Sequence, residues 1–207
     1  MSTEIAVVGD VHGNLAALRA ILRASEDSQP KQFVFVGDYI NRGPDSNGVL
    51  EELIELRRRR PNTTLLRGNH DEELSQVLSG TPIGKFLAMG GTTTLTSYVG
   101  RPGHGDLAAQ LRSAVPITHR DLLCSLAPMY RYGKLVVSHG DKPIELRRDD
   151  FHVFGHTVRQ NRYPQISRGH AAIDTGCSTI PGGRLSCLLW PSLRVIQVSD
   201  LGNLVTG

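Results

Sequence analysis

The chain has 207 residues, a formal charge of +3, 39% hydrophobic and 5% aromatic residues, and no Pro/Gly/Ser-rich stretch that would divide it, so a single domain over 1–207 is expected. No run approaches the roughly 20 apolar residues of a membrane-spanning helix. The first residues also lack the basic-then-apolar pattern of a leader, and aromatics are too few for a base-stacking surface; the expectation is a cytoplasmic protein with neither membrane nor nucleic-acid partners.

In chain order, the first third reads as strand 5–8, helix 15–23, strand 33–36, helix 49–59 and strand 64–66. Leu15, Leu18, Ile21 and Leu22 share one helical face, as do Val49, Leu50, Leu53 and Ile54, and Pro61 stops the second helix. Helical crossovers make the three strands parallel, so the loops after them open on one edge of the sheet. Arg57 to Arg60 fall at the end of the second helix, where cations complement the dipole. From about 72 to 132 the pattern turns helical, with the Gly90-Gly91-Thr92 turn and a helix near 121–126 capped by Thr118; this is expected to be a helical cover. Strand-like runs return at 134–138, 151–154, 171–173 and 185–189, the last pairing with 193–198 across Pro191-Ser192, and imply a second sheet.

Four segments place metal-binding side chains directly after apolar runs: Gly9-Asp10-Val11-His12-Gly13, Gly37-Asp38-Tyr39, Gly68-Asn69-His70-Asp71 and Ser138-His139-Gly140. A lone Asp there is ordinarily a turn former or helix cap, and a lone His a solvated or packed residue; several in order at strand exits point to a site for two divalent cations. Asp10 and His12 can face one ion, Asp38 can bridge two, Asn69 supplies a neutral oxygen, and His139 and His156 complete the second site. Nitrogen and oxygen donors without cysteine favour manganese, iron or zinc over calcium. His104, His119 and His170 read as solvated, and Cys124, Cys177 and Cys187 as reduced packing residues.

These motifs, with Gly37-Asp38-Tyr39-Ile40-Asn41-Arg42-Gly43 and Gly155-His156-Thr157, resemble the phosphoprotein phosphatases within the calcineurin-like metallophosphoesterases, especially short prokaryotic members such as phage-type protein phosphatases and symmetrical diadenosine tetraphosphatases. Weaker likeness covers Gly90-Gly91-Thr92, Ile173-Asp174-Thr175-Gly176 and Gly182-Gly183-Arg184-Leu185. The resemblance implies an α/β sandwich of two mixed β-sheets flanked by helices. It implies Asp10, His12 and Asp38 as ligands of one metal, and Asp38, Asn69, His139 and His156 as ligands of the other. In similar enzymes a metal-bound water or hydroxide attacks phosphorus in line. Arg42 matches the arginine that grips the phosphate and His70 the general acid, while Asn69 also lies where substrate binds. Two departures stand out. Asn41 replaces the carboxylate that normally pairs with the histidine, and the interval from His139 to His156 is short, omitting a second phosphate-binding arginine that Arg147 or Arg148 would replace unless both are solvated loop charges.

Three functions are weighed: a Ser/Thr protein phosphatase-like phosphomonoesterase acting on a phosphorylated protein or small metabolite, a dinucleoside polyphosphate hydrolase, and a weakly catalytic module that binds phosphorylated ligands.

Overall fold

In the computed structural model, which describes residues 4–141 and 145–205, the amino-terminal βαβαβ pattern forms as β1 (Ile5–Val8), α1 (Leu15–Glu26), β2 (Gln32–Phe35), α2 (Ser46–Arg59) and β3 (Thr64–Leu65). The three strands are parallel. Each helix starts where a side chain satisfies a backbone donor that has no partner within the helix: Asn14 accepts from Ala17 N and Asp45 from Gly48 N. These caps fix the helix starts directly behind the loops that leave β1 and β2.

Five α-helices follow, α3 (Asn69–Leu78), α4 (Gly84–Phe86), α5 (Thr92–Val99), α6 (Leu107–Ala114) and α7 (Ile117–Cys124), with a π-helical segment (Leu87–Gly91) between α4 and α5 in which Gly90 turns the chain at positive φ. Pro116 caps α7, and Thr118 lies inside it rather than at its cap; the fixed φ of proline suits a helix start. The helical stretch ends earlier than expected, because Met129–Tyr132 forms a strand, β4. Met129 to Arg131 are only half-buried and Tyr132 is exposed, which blurs the alternation that marks a strand.

The remaining strands are β5 (Leu135–Ser138), β6 (Phe151–Phe154), β7 (Gln165–Ser167), β8 (His170–Ala172), β9 (Arg184–Trp190) and β10 (Arg194–Ser199). They build two five-stranded mixed sheets, ordered β10-β9-β1-β2-β3 and β4-β5-β6-β8-β7. The β9–β10 pair forms as expected, but β9 joins the first sheet by antiparallel pairing with β1. Its apolar run has both faces covered, Leu185, Cys187 and Leu189 among the helices and Leu188 toward the other sheet, which suits a central position.

Alternation along each strand separates two cores. Ala6, Val8, Phe33, Phe35 and Leu65 pack on the helices. Ile5, Val7, Val34 and Val36 face Leu135, Val137, Phe151, Val153 and Ala171 of the second sheet. The result is the expected sandwich of two sheets with helices. Among the described residues, no helix is long and apolar enough to cross a membrane.

Candidate metal centre

Within the second sheet β5, β6 and β8 are mutually parallel, so each sheet contributes three strands whose carboxyl ends share one edge. Asp10, Asp38 and Asn69 follow β1, β2 and β3, while His139, His156 and Asp174 follow β5, β6 and β8. The backbone there is strained: His12, Asp38, Asn41, Arg42 and His156 all adopt positive φ, between 46° and 71°. Such conformations cost side-chain-bearing residues of order 1 kcal/mol or more each, and persist where surroundings over-determine them. Two close approaches require glycine, since a Cβ at Gly68 would collide with Asp38 Oδ1 and one at Gly155 with Asp10 Oδ1.

Four donor atoms converge at the solvent-open side. Asn69 Oδ1 lies 2.9 Å from both His139 Nε2 and His156 Nδ1, the two nitrogens are 3.2 Å apart, and Asp38 Oδ2 is 3.4 Å from His139 Nε2. Deeper, Asp38 Oδ2 is 3.9 Å from the Nε2 atoms of both His12 and His70. Asp38 therefore belongs to both groups, as a bridge must. Asp10 stands outside these two groups; its carboxylate accepts from His156 N and lies 4.0 Å from His139 Nδ1. A cavity of about 280 Å³ opens above, lined by Asn69, Pro128, Ser138, His139, Gly140, Asp141 and His156.

The donor chemistry fits divalent cations. His12 donates its Nδ1 hydrogen to Ile40 O and His139 donates its own to Val36 O, which leaves both Nε2 atoms as lone-pair donors. Burial, then neighbouring histidines, push both rings down to about 3, so they are neutral at physiological pH. Burial pushes Asp10 and Asp38 upward, with Asp174 and Asp38 adding to the shift at Asp10, and Asp71 and Asp174 at Asp38. Buried carboxylates in mutual repulsion are relieved by cations.

His70 and Asn41 meet as the motifs suggest. Asn41 Nδ2 lies 2.8 Å from His70 Nδ1, and Thr94 Oγ1 donates to Asn41 Oδ1 at 2.7 Å. The Ser46 hydroxyl is 2.8 Å from Thr94 Oγ1 and the backbone N–H of Asn41 reaches both hydroxyls. In this orientation every hydroxyl hydrogen has an acceptor, so His70 Nδ1 accepts and its remaining hydrogen sits on Nε2, facing Asp38. Burial, then Arg42 and His156, lower His70 to about 4. Arg42 is exposed, with its backbone held by Gly90 O. Its charge is felt at His12, His70, Asp38 and Asp174, so the guanidinium borders the centre.

Arg147 and Arg148 are not brought to it. Both are exposed in the turn before β6, where Arg147 N donates to Asp150, and neither lines the cavity above the histidines. His119 is fully buried rather than solvated, between Tyr98 OH at 2.6 Å and Glu51 Oε1 at 2.9 Å. His170 is half-buried, and of the cysteines Cys177 and Cys187 are packed while Cys124 is exposed.

Two acids were missed. Asp71 is fully buried and accepts from the backbone N–H groups of Asp38, Tyr39 and Gly68, joining the β2 loop to the start of α3. Asp174, 1% exposed, acts electrostatically on Asp10 and Asp38. It follows the apolar run at 171–173, the same signal that marked Asp10 and Asp38.

Comparison with known proteins agrees with this arrangement. The profile of the calcineurin-like phosphoesterases matches residues 3–178. A protein of Schizosaccharomyces pombe assigned to the serine/threonine-protein phosphatases is 43% identical over 72 residues, 34% of this chain and 24% of that protein. The serine/threonine-protein phosphatase 6 catalytic subunit of Drosophila melanogaster is 36% identical over 72 residues, again 34% and 24%. The chain thus spans about a quarter of the length of the curated relatives it matches. A solved structure assigned as a diadenosine tetraphosphatase superposes with a TM-score of 0.67 at 24% identity, covering 96% of this chain and 94% of that one, a likeness of fold.

Proposed function

The chain belongs to the calcineurin-like phosphoesterase family, and on that premise we propose that it is a metal-dependent phosphatase with a two-ion centre, a phosphomonoesterase of the Ser/Thr protein phosphatase kind. The observation that carries this is the convergence of donors from Asp38, Asn69, His139 and His156, each within 3.4 Å of at least one other, with Asp38 also facing the lone pair of His12 Nε2 on its deeper side.

Asp10, His12 and Asp38 would hold one ion, and Asp38, Asn69, His139 and His156 the other, with manganese preferred and iron or zinc admitted by the same donors. Divalent cations bound there supply charge that activates water and neutralises phosphoryl oxygens. The chain's own side chains do the rest. Arg42 offers a guanidinium fork to the phosphate, and Asn69 borders the cavity from which substrate arrives. His70, with its hydrogen on Nε2, protonates the departing oxygen. Asn41 and Thr94 set that tautomer. Arg147 and Arg148 have no part in this reading. The cavity's openness suits a phosphorylated side chain on a protein or a small phosphorylated metabolite, and the free thiols suit a reducing, cytoplasmic setting.

Turnover of p-nitrophenyl phosphate with and without manganese tests the enzyme, and a panel of phosphopeptides and diadenosine tetraphosphate ranks the substrates. We expect manganese-dependent turnover that Asp38→Asn abolishes, with phosphopeptides preferred. Preference for the dinucleotide would favour the polyphosphate hydrolase; no turnover would leave a binding module.

A further inference from the structure

His152 lies on β6 and is 5% exposed, with its side chain turned away from the core between the sheets. The strand neighbours that do face that core are Phe151 and Val153. Its ring nitrogen Nε2 is 2.7 Å from Ser138 Oγ. Ser138 Oγ in turn donates to Gly140 O, also at 2.7 Å. A hydroxyl has one hydrogen, so with that hydrogen committed to Gly140 the serine oxygen accepts from His152 Nε2–H. The relay therefore runs His152, Ser138, Gly140, and it closes a turn around the one residue it does not touch, His139.

Among the described residues, the crossover from Ser138 of β5 to Phe151 of β6 contains no helix. Three hydrogen bonds hold the turn: the His139 carbonyl accepts from Gly155 N at 2.8 Å, His139 Nδ1 donates to Val36 O at 3.1 Å, and Ser138 Oγ donates to Gly140 O across it. The first two fix its backbone and ring. The third fixes the direction in which the chain leaves, and Gly140 packs directly against His156, where an added Cβ would lie 3.7 Å from the ring.

We propose that His152 is a positioning residue for the solvent-side ion: through Ser138 it holds the His139–Gly140 turn so that His139 Nε2 stays beside Asn69 and His156. The proposal rests on the two-ion reading above. Partners beyond the ligands themselves commonly change metal affinity by about 10–100-fold when removed.

The test is manganese titration by calorimetry of the parent, Ser138→Ala, His152→Leu and His152→Gln, with melting temperatures measured alongside. A glutamine places its amide nitrogen near the position of Nε2 and retains a donor. We expect Ser138→Ala and His152→Leu to weaken one of two manganese sites about tenfold or more while leaving the other unchanged, and His152→Gln to stay within about threefold of the parent. Should His152→Leu fail to fold, the Ser138→Ala and His152→Gln pair still decides. Unchanged affinity in Ser138→Ala, or equal losses at both sites, would overturn the proposal. A parent that binds no manganese would overturn the two-ion reading instead, so the two failures are distinguishable.

Discussion

His70 shows how one hydrogen bond can choose a chemistry. A carboxylate partner accepts from Nδ1–H and stabilises the charged ring; the Asn41 amide instead donates to Nδ1 and adds no negative charge. His70 is thereby kept as a neutral donor through Nε2, which in the proposed reaction gives a weak driving force for expelling a poor leaving group. We expect Asn41→Asp to raise kcat on alkyl phosphates about tenfold, well within the range of general-acid effects, with little change on p-nitrophenyl phosphate, whose leaving group needs no proton. Parallel changes on both substrates in steady-state assays would remove this role for Asn41. The motif spacing identified the Asn41–His70 pair, but Thr94 and Ser46, which orient the amide, lie 53 and 5 residues from Asn41. No local pattern links Thr94 to it; only the packing of α5 on the loop does.

At the level of elements, buried polar residues hold the strand exits. Asp71 joins two loops through three backbone N–H groups. Removing it leaves those donors buried without partners, each costing about 1–3 kcal/mol. Asp71→Ala is expected to destabilise by about 3 kcal/mol or more in urea unfolding and to weaken metal binding; a loss under about 1 kcal/mol would show that water replaces the carboxylate. Asp150, before β6, is simpler. The Arg147 backbone N–H and then the Arg131 guanidinium hold its carboxyl below the usual value. A depressed folded pKa contributes stability that is complete above the unfolded carboxylate value, about 3.9, and is lost as pH falls through the folded one. Asp150→Asn should therefore lower stability at pH 7, with a deficit that shrinks as pH falls below about 3.9; a deficit unchanged by acidification would mean the charge is not involved. Element type was largely legible in the sequence because β1, β2, β5 and β6 are short apolar runs and α1 and α2 carry an apolar stripe. The half-exposed β4 and β7 were not, since pairing with neighbours, rather than alternation, defines them.

At the scale of the molecule, two sheets bring six strand ends to one edge, and the chain order of the motifs becomes a cluster in space. The proposed ligands stood out in the sequence because each follows an apolar run. It did not show that β9 enters the first sheet beside β1, nor that Asp71, Asp174 and His152 lie against the strand exits, because those placements depend on which strands become neighbours. The likeness of fold to other phosphoesterases extends over nearly the whole chain, whereas the curated sequence relatives align over about a third of it. The shared feature over that length is the fold. The most direct measurement is the anomalous-scattering map of manganese-loaded crystals. We predict two peaks sharing Asp38, one beside Asp10 and His12 and one beside Asn69, His139 and His156; density free of anomalous signal at these donors, in crystals loaded at saturating manganese, would contradict the two-ion centre.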